Sequence, residues 1–317
     1  MITPEIGTLI SASDTGDFCD QVSLAESLQI PTAWTTIGGA GGADPLTAFA
    51  AALDRTNTIK GGTAIIPTWP RHPLAIAQQA LSIDELAPGR LRLGIGPSHK
   101  PMMTKSIGAE WTKPLTHLRE YLMALSTLFE TGEVDFSGDQ VTLNTSIKKP
   151  TSIELLASAL RPKSFMTCGE LTDGAISWMC PKTYLVEKAL PALEAGIKLQ
   201  QKQKPVPLIA HVPIVVSDDR EKAKGLAQEQ LHRYSTIPFY QAMFREAGFL
   251  IDGEAYPVEL LDDLVVSGTK AEVIEKLKQY IESGCGEVLA APLIDPENRS
   301  ESIKISFETI SEANKSL

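Results

Sequence analysis

Short runs of consecutive apolar residues alternate with longer stretches of helical period from one end of the chain to the other. The runs fall at residues 6–11, 32–36, 61–66, 91–95, 153–157, 174–178, 208–216 and 287–291. Most are apolar on successive rather than alternate positions, which is the pattern of strands buried on both faces. They therefore predict a parallel sheet covered by helices. Between them, Leu74, Ile76, Ala77, Ala80, Leu81 and Ile83 repeat at helical spacing after Pro73, a residue suited to a first helical position. Val273, Ile274, Leu277, Tyr280 and Ile281 form a second stripe, opened by Thr269 as a cap and closed by Gly284. A doubly wound open sheet produces the same alternation, but eight strands spread over the whole chain favour closure. The expected fold is one domain, residues 1–317, forming a (β/α)8 TIM barrel.

Two stretches interrupt the alternation. Residues 97–150 hold a helix over about 114–130 and then a hairpin-like excursion at 134–143. Residues 230–265 hold an aromatic-rich helix, 234–249, carrying Tyr234, Phe239, Tyr240, Phe244 and Phe249. Insertions of a barrel decorate its C-terminal face, so both are lids over a pocket or surfaces of a dimer. Neither an internal repeat, a low-complexity tract nor a linker divides the chain.

Composition narrows the chemistry. A net charge of -10 argues against a nucleic-acid surface, which needs clustered Lys and Arg. No apolar run reaches the ~20 residues of a membrane span, and the first residues lack the basic start and apolar stretch of a signal peptide, so a cytoplasmic location is expected. Cys19, Cys168, Cys180 and Cys285 form no C-x-x-C pair and read as buried thiols. Five scattered histidines without an H-E-x-x-H pattern predict no metal.

Barrel sites lie at the C-terminal ends of strands. One such end, Gly94-Ile95-Gly96-Pro97-Ser98-His99, carries two glycines that permit close approach of a flat ring or a phosphorylated chain. It is not a dinucleotide fingerprint, because the G-x-G-x-x-G spacing fails and no helix is expected directly after it.

Several separated stretches then carry a family resemblance. GTAIIPTWPRHPLAIAQQALSIDELAPGRLRLGIGPSH at 62–99, LLASALRPKSFMTCGELTDGAISWM at 155–179 and GTKAEVIEKLKQYIESGCGEVLAA at 268–291 resemble successive segments of the luciferase-like monooxygenase superfamily. With HLREYLMAL and PIVVSDDREKA, the similarity spans nearly the whole chain. PTWPRHP, the G-x-S-H turn and TDGAISWM are most similar to the branch that uses the deazaflavin coenzyme F420; FMN is the alternative cofactor.

The resemblance implies a cofactor ring lying against a bulge of the third strand, built around a cis peptide bond at or beside Thr63-Ala64, with Ile65 adjoining. It places Gly96, Ser98 and His99 beside the ring or its ribityl chain. It places the cofactor phosphate at Ala159, Leu160 and Arg161, running on to Lys163, where a helix start offers unpaired amides. Family members often have glycine where Arg161 stands, so Arg161 is a phosphate clamp or a solvated side chain. Trp178 and Met179 match positions near the cofactor or substrate, with core packing as the alternative, and Lys182 just beyond them faces an anionic tail or solvent. Some deazaflavin dehydrogenases carry an Asp-His pair where this chain has Thr35-Thr36-Ile37-Gly38-Gly39, so that proton relay is missing. His99 is left as the candidate general acid, or as a histidine paired with a carbonyl. His72 reads as a cap or loop anchor.

The implied activity is hydride transfer between deazaflavin C5 and a C=C, C=O or C=N bond of a small organic substrate, in a homodimer. An FMN-dependent monooxygenase and a non-catalytic F420-binding protein are the alternatives.

Overall fold

The computed structural model describes residues 3–37, 42–200, 205–251 and 255–317. Its strands are β1 (Glu5–Leu9), β2 (Thr32–Thr35), β3 (Lys60–Thr63), β4 (Ile66–Pro67), β5 (Leu91–Gly96), β6 (Glu133–Ser137), β7 (Thr142–Ser146), β8 (Glu154–Ser158), β9 (Gly174–Ile176), β10 (Leu208–Val216), β11 (Val266–Gly268) and β12 (Glu287–Pro292). The helices are α1 (Thr15–Ser27), α2 (Pro45–Asp54), α3 (Pro73–Leu86), α4 (Lys100–Ile107), α5 (Pro114–Thr131), α6 (Pro162–Leu171), α7 (Lys182–Tyr184), α8 (Leu190–Gln200), α9 (Arg220–Ser235), α10 (Pro238–Glu246), α11 (Val258–Leu264), α12 (Lys270–Glu282) and α13 (Arg299–Lys315). Among the described residues, no helix is long and apolar enough to cross a membrane.

The strands pair in parallel around a ring, β1-β2-β3-β5-β8-β9-β10-β12, and β12 returns to β1 through Glu5↔Glu287 and Ile6↔Val288. The fold is a closed (β/α)8 barrel, as the alternation predicts. The details differ at informative places. The third run, 61–66, is two strands, since β3 stops at Thr63 and pairing with β5 resumes at Ile66. The sixth run stops at Ile176, two residues early, because the chain bends at Met179, which takes a left-handed φ of 55°. The aromatic helix expected over 234–249 is broken, with α9 ending at Ser235 and Pro238 starting α10. Proline lacks the amide that would continue α9. A helix does follow the G-x-S-H turn directly: His99 is the N-cap of α4, with Pro101 in its first turn. The excursion at 134–143 is the antiparallel β6–β7 hairpin, and β11 adds a short strand beside the far end of β10.

Alternate residues of the ring point inward. At the middle of the interior, Trp34 (1% exposed) is flanked by Leu156, Ile176, Ile209 and Leu289. Its indole needs glycine opposite: a Cβ at Gly62 would lie 2.3 Å from the Trp34 ring, and one at Gly7 2.5 Å from its Nε1. At the N-terminal end of the strands, Arg92 is buried against three carboxylates. It bonds Glu287 through two nitrogens at 2.6 and 2.8 Å, Glu154 at 2.7 Å and Glu5 at 3.1 Å, and its guanidinium lies 4.9 Å from the Trp34 ring centroid. The attraction of the three carboxylates outweighs desolvation and raises the Arg92 pKa above its ordinary value.

Arg92→Ala leaves Glu287 buried without its cation, and breaking a buried pair on one side costs about 3–5 kcal/mol. Urea unfolding of the variant is expected to show a loss of that size; a loss under about 1 kcal/mol would mean that water replaces the guanidinium.

Candidate active site

The ends of β5 and β8 meet at the C-terminal mouth of the barrel. Their register pairs Gly94 with Leu156 and Ile95 with Ala157, so Gly96 falls beside Ser158. A Cβ on Gly96 would lie 2.1 Å from Ser158 Oγ and 3.2 Å from the Ile65 side chain. The cis peptide bond is present at Ala64-Ile65, one bond beyond Thr63-Ala64 and still beside it. Thr63 is buried and engaged: its hydroxyl donates to Gly94 O at 2.8 Å and accepts from Gly94 N at 2.9 Å. Ala64 and Ile65 remain half-buried at the mouth.

One helix of the second insertion spans both turns. Tyr240 of α10 is hydrogen-bonded through its hydroxyl to His99 Nε2 at 3.0 Å, and Glu246, six residues later, forms an ion pair with Arg161. At 1.5 Å rise per residue these two anchor points lie about 9 Å apart along the helix. Behind Arg161, Tyr184 OH donates to Leu160 O at 3.1 Å. The turns predicted to share a mouth therefore do share one, closed over by the insertion.

The wall between them is aromatic. Tyr234 and Tyr240 pack edge to face at 5.2 Å, Phe239 lies 4.7 Å from Tyr240 and 5.6 Å from His99, and Trp178 meets Tyr234 at 5.3 Å. Trp178 also lies 4.2 Å from the ring of His211, a β10 residue that the sequence reading passed over. His211 is 5% exposed, and its Nε2 is buried without a hydrogen-bond partner among the described residues. The signal for it was a histidine within an otherwise apolar strand, on the same inward parity as Ile209. Ser158 and Glu246 were equally absent from the expectation, being brought to the mouth by register and by the insertion, whereas Tyr240 belongs to the aromatic insertion expected as a lid or a dimer surface.

Charge in this mouth is suppressed. Burial, reinforced by the Arg233 guanidinium, lowers the His99 pKa below the ordinary imidazole value, and burial alone takes His211 down to about 3. Burial likewise holds Tyr240 well above the ordinary phenol value. At neutral pH both imidazoles are neutral, so His99 offers an N–H or a lone pair to its neighbours rather than an imidazolium proton.

The remaining expected residues separate into two groups. Ala159 is buried beside the mouth and Leu160 is half-buried, but the amides expected to be unpaired are not: Ser164 Oγ accepts from Leu160 N at 3.2 Å and from Arg161 N at 3.1 Å. The serine of the first helical turn folds back on the two residues before the helix, a local competition that spacing alone does not reveal. Ser98 adopts a left-handed φ of 61° and directs its hydroxyl toward Met102. Met179 is fully buried. Lys182 is engaged elsewhere, its ammonium 5.4 Å over the Tyr280 ring, beside an open depression of about 270 Å³ shared with Thr183, Val186, Glu187 and Asp263. That depression lies on the flank formed by α7 and α11 and brings none of the strand-end residues together. His72 is the N-cap of α3, accepting from Leu74 N at 3.2 Å through Nδ1 and reaching Thr142 O through Nε2. Gly38 and Gly39 lie outside the described residues. Among the described residues, no group of His, Cys, Asp and Glu side chains is arranged to hold a metal ion.

The family described as luciferase-like monooxygenase matches residues 2–287. The 5,10-methylenetetrahydromethanopterin reductase of Archaeoglobus fulgidus is 28% identical over 280 residues, covering 81% of this chain and 83% of that protein. An F420-dependent secondary alcohol dehydrogenase, solved with an F420-acetone adduct, superposes with a TM-score of 0.77 at 19% identity, over 96% of this chain and 97% of that one. The FMN-bound oxygenating constituent of 3,6-diketocamphane monooxygenase from Pseudomonas putida superposes with a TM-score of 0.71 at 18% identity, over 98% of both chains. The structural likenesses establish the fold.

The lowered histidines make stability pH-dependent. A folded-state pKa below the unfolded value of about 6.5 means that the unfolded chain binds more protons, so stability is complete above that pH and is lost as the pH falls. His211 contributes a slope of up to about 1.4 kcal/mol per pH unit below about pH 6.5. Urea unfolding at pH 7, 6 and 5 should show this loss, and His211→Leu should flatten it; an unchanged slope in the variant would show that His211 is protonated in the folded state.

Proposed function

Since the chain belongs to the luciferase-like monooxygenase family, we propose that it is a cytoplasmic, homodimeric oxidoreductase that binds coenzyme F420 across the barrel mouth and acts on a small organic substrate. The observation that carries this reading is the bridging of the β5 and β8 turns by α10, through Tyr240 to His99 and Glu246 to Arg161. When bound, the deazaflavin supplies hydride at C5 for a C=C, C=O or C=N bond.

The residues present suit such a group at the ring end. Gly96 ends β5 as bare backbone, and Ala64 and Ile65 offer a half-buried apolar face. At the tail end Arg161 already holds a carboxylate. Both members of that pair are 41% exposed, and exposed pairs contribute at most about 1 kcal/mol. A phosphate can therefore displace Glu246 and take the same guanidinium. The protein's own work is to orient two partners, to exclude water behind Trp178, Tyr234, Phe239 and Tyr240, and to keep neutral hydrogen-bonding groups at the reacting end.

Fluorescence titration should show saturable F420 binding that is tighter than FMN binding, and reduced F420 should be oxidised by members of a panel of enones and imines. Tight FMN binding with oxygen consumption from reduced FMN would replace this reading with a monooxygenase, and F420 binding without any turnover would replace it with a carrier. Glu246→Gln frees Arg161 and is expected to tighten F420 binding about fivefold at low salt, the equivalent of an exposed ion pair. An unchanged affinity would place the phosphate away from Arg161.

A further inference from the structure

Buried polar groups in folded proteins are hydrogen-bonded, and one left unpaired destabilises the fold unless something outside the chain satisfies it. His211 is such a group. Its ring is packed against Trp178 at 4.2 Å, its backbone amide is fixed by donation to Ser177 Oγ at 3.2 Å, and its Nε2 is enclosed with no partner among the described residues. Strand parity aims it: Ile209 belongs to the inward cluster with Trp34, Leu156, Ile176, Leu289 and Ala291, and His211 is the next inward residue toward the mouth. The wall around it is aromatic, with Tyr234 stacked edge to face on Trp178.

Resting on the function proposed above, we propose that His211 is a substrate contact: its Nε2–H donates to the carbonyl oxygen or imine nitrogen of a neutral, apolar, conjugated substrate lying at the barrel mouth beside Trp178. A neutral imidazole is suited to this task, because it donates a hydrogen bond without bringing a charge into an apolar mouth. Burial keeps it neutral across the physiological range. The same features disfavour anionic substrates, since the imidazole does not become a cation there. The interaction moves no proton; it orients the acceptor atom and polarises the double bond attached to it.

The test uses His211→Leu and His211→Gln beside the wild type, with 2-cyclohexen-1-one as probe, cyclohexene as the control lacking the carbonyl, and ligand-observed NMR as the readout on free and F420-loaded protein. His211→Leu is expected to raise the melting temperature of the free protein by about 2 °C, because a buried unpaired polar group is removed. It is also expected to weaken enone binding about tenfold or more, while cyclohexene binding is unchanged. His211→Gln should restore enone binding to within about threefold of wild type, and the F420 dissociation constant should stay within about twofold in both variants. A lower melting temperature in His211→Leu would make the histidine a structural group and overturn the proposal. So would equal enone binding by wild type and variant, no enone binding by the wild type, or a loss of F420 affinity in step with enone affinity. Failure of F420 to bind the wild type would instead remove the cofactor reading, and the comparisons on free protein would still decide the role of His211.

Discussion

A single buried guanidinium sets the geometry of the barrel. Arg92 on β5 reaches Glu5 on β1, Glu154 on β8 and Glu287 on β12, so four strands of the ring are tied across its interior at their N-terminal ends. Buried charges persist only where geometry and further hydrogen bonds compensate their desolvation, and here three carboxylates surround one cation. Above this floor the interior changes character within one layer, to the Trp34 indole and the glycines that make room for it. With the N-terminal end filled by ionic and aromatic groups, the C-terminal end is left to open into a mouth. The strand ends that gather there, Gly96, Ser158 and the Ala64-Ile65 pair, follow from that closure and its register.

The mouth is built on the opposite electrostatic principle. Its imidazoles are neutral, the Tyr240 phenol is protonated, and the charged residues beside it, Arg161, Glu246 and Arg233, lie toward the exposed rim. A neutral, low-dielectric lining strengthens each hydrogen bond made inside it and makes an unpaired donor costly. That contrast explains why His211 stands out. In a solvated loop an unpaired ring nitrogen would be unremarked; enclosed beside Trp178 it calls for a partner. The α9–α10 insertion closes this space by contacts that differ in strength, apolar stacking over the ring end and an exposed ion pair over the tail end. The exposed pair is the weaker of the two and the one that a phosphorylated ligand can replace.

Much of this was written in the sequence. Consecutive apolar runs fixed the parallel strands and their number, because buried strands need apolar side chains on both faces and the order of runs dictates the order around the ring. The glycines at 94 and 96 marked a close approach, which in the structure is that of Thr63 O and Ser158 Oγ, and the cap at Thr269 marked the start of α12, which its hydroxyl and Glu272 close as a capping box. These are local signals, carried by neighbouring residues and read from spacing. The Ala64-Ile65 bond was located to within one residue by resemblance, while the break it makes in the third run was not legible from apolar character, since both residues on its flanks are themselves apolar.

Tertiary structure decided what depended on distance in the chain. Whether Arg161 faces phosphate or Glu246 is set by how α10 folds back over 85 positions of separation. Whether Leu160 and Arg161 amides are open is set by the rotamer of Ser164. Lys182 shares the mouth-side turn in sequence yet packs on Tyr280, because the chain turns outward after Met179. His211 looked like one polar residue in an apolar strand, and only closure of the barrel gave it an inward parity, an aromatic neighbour and an unpaired nitrogen. Sequence patterns report which side chains must leave water; which of them then meet is fixed by long-range packing, and a site consists of meetings of that kind.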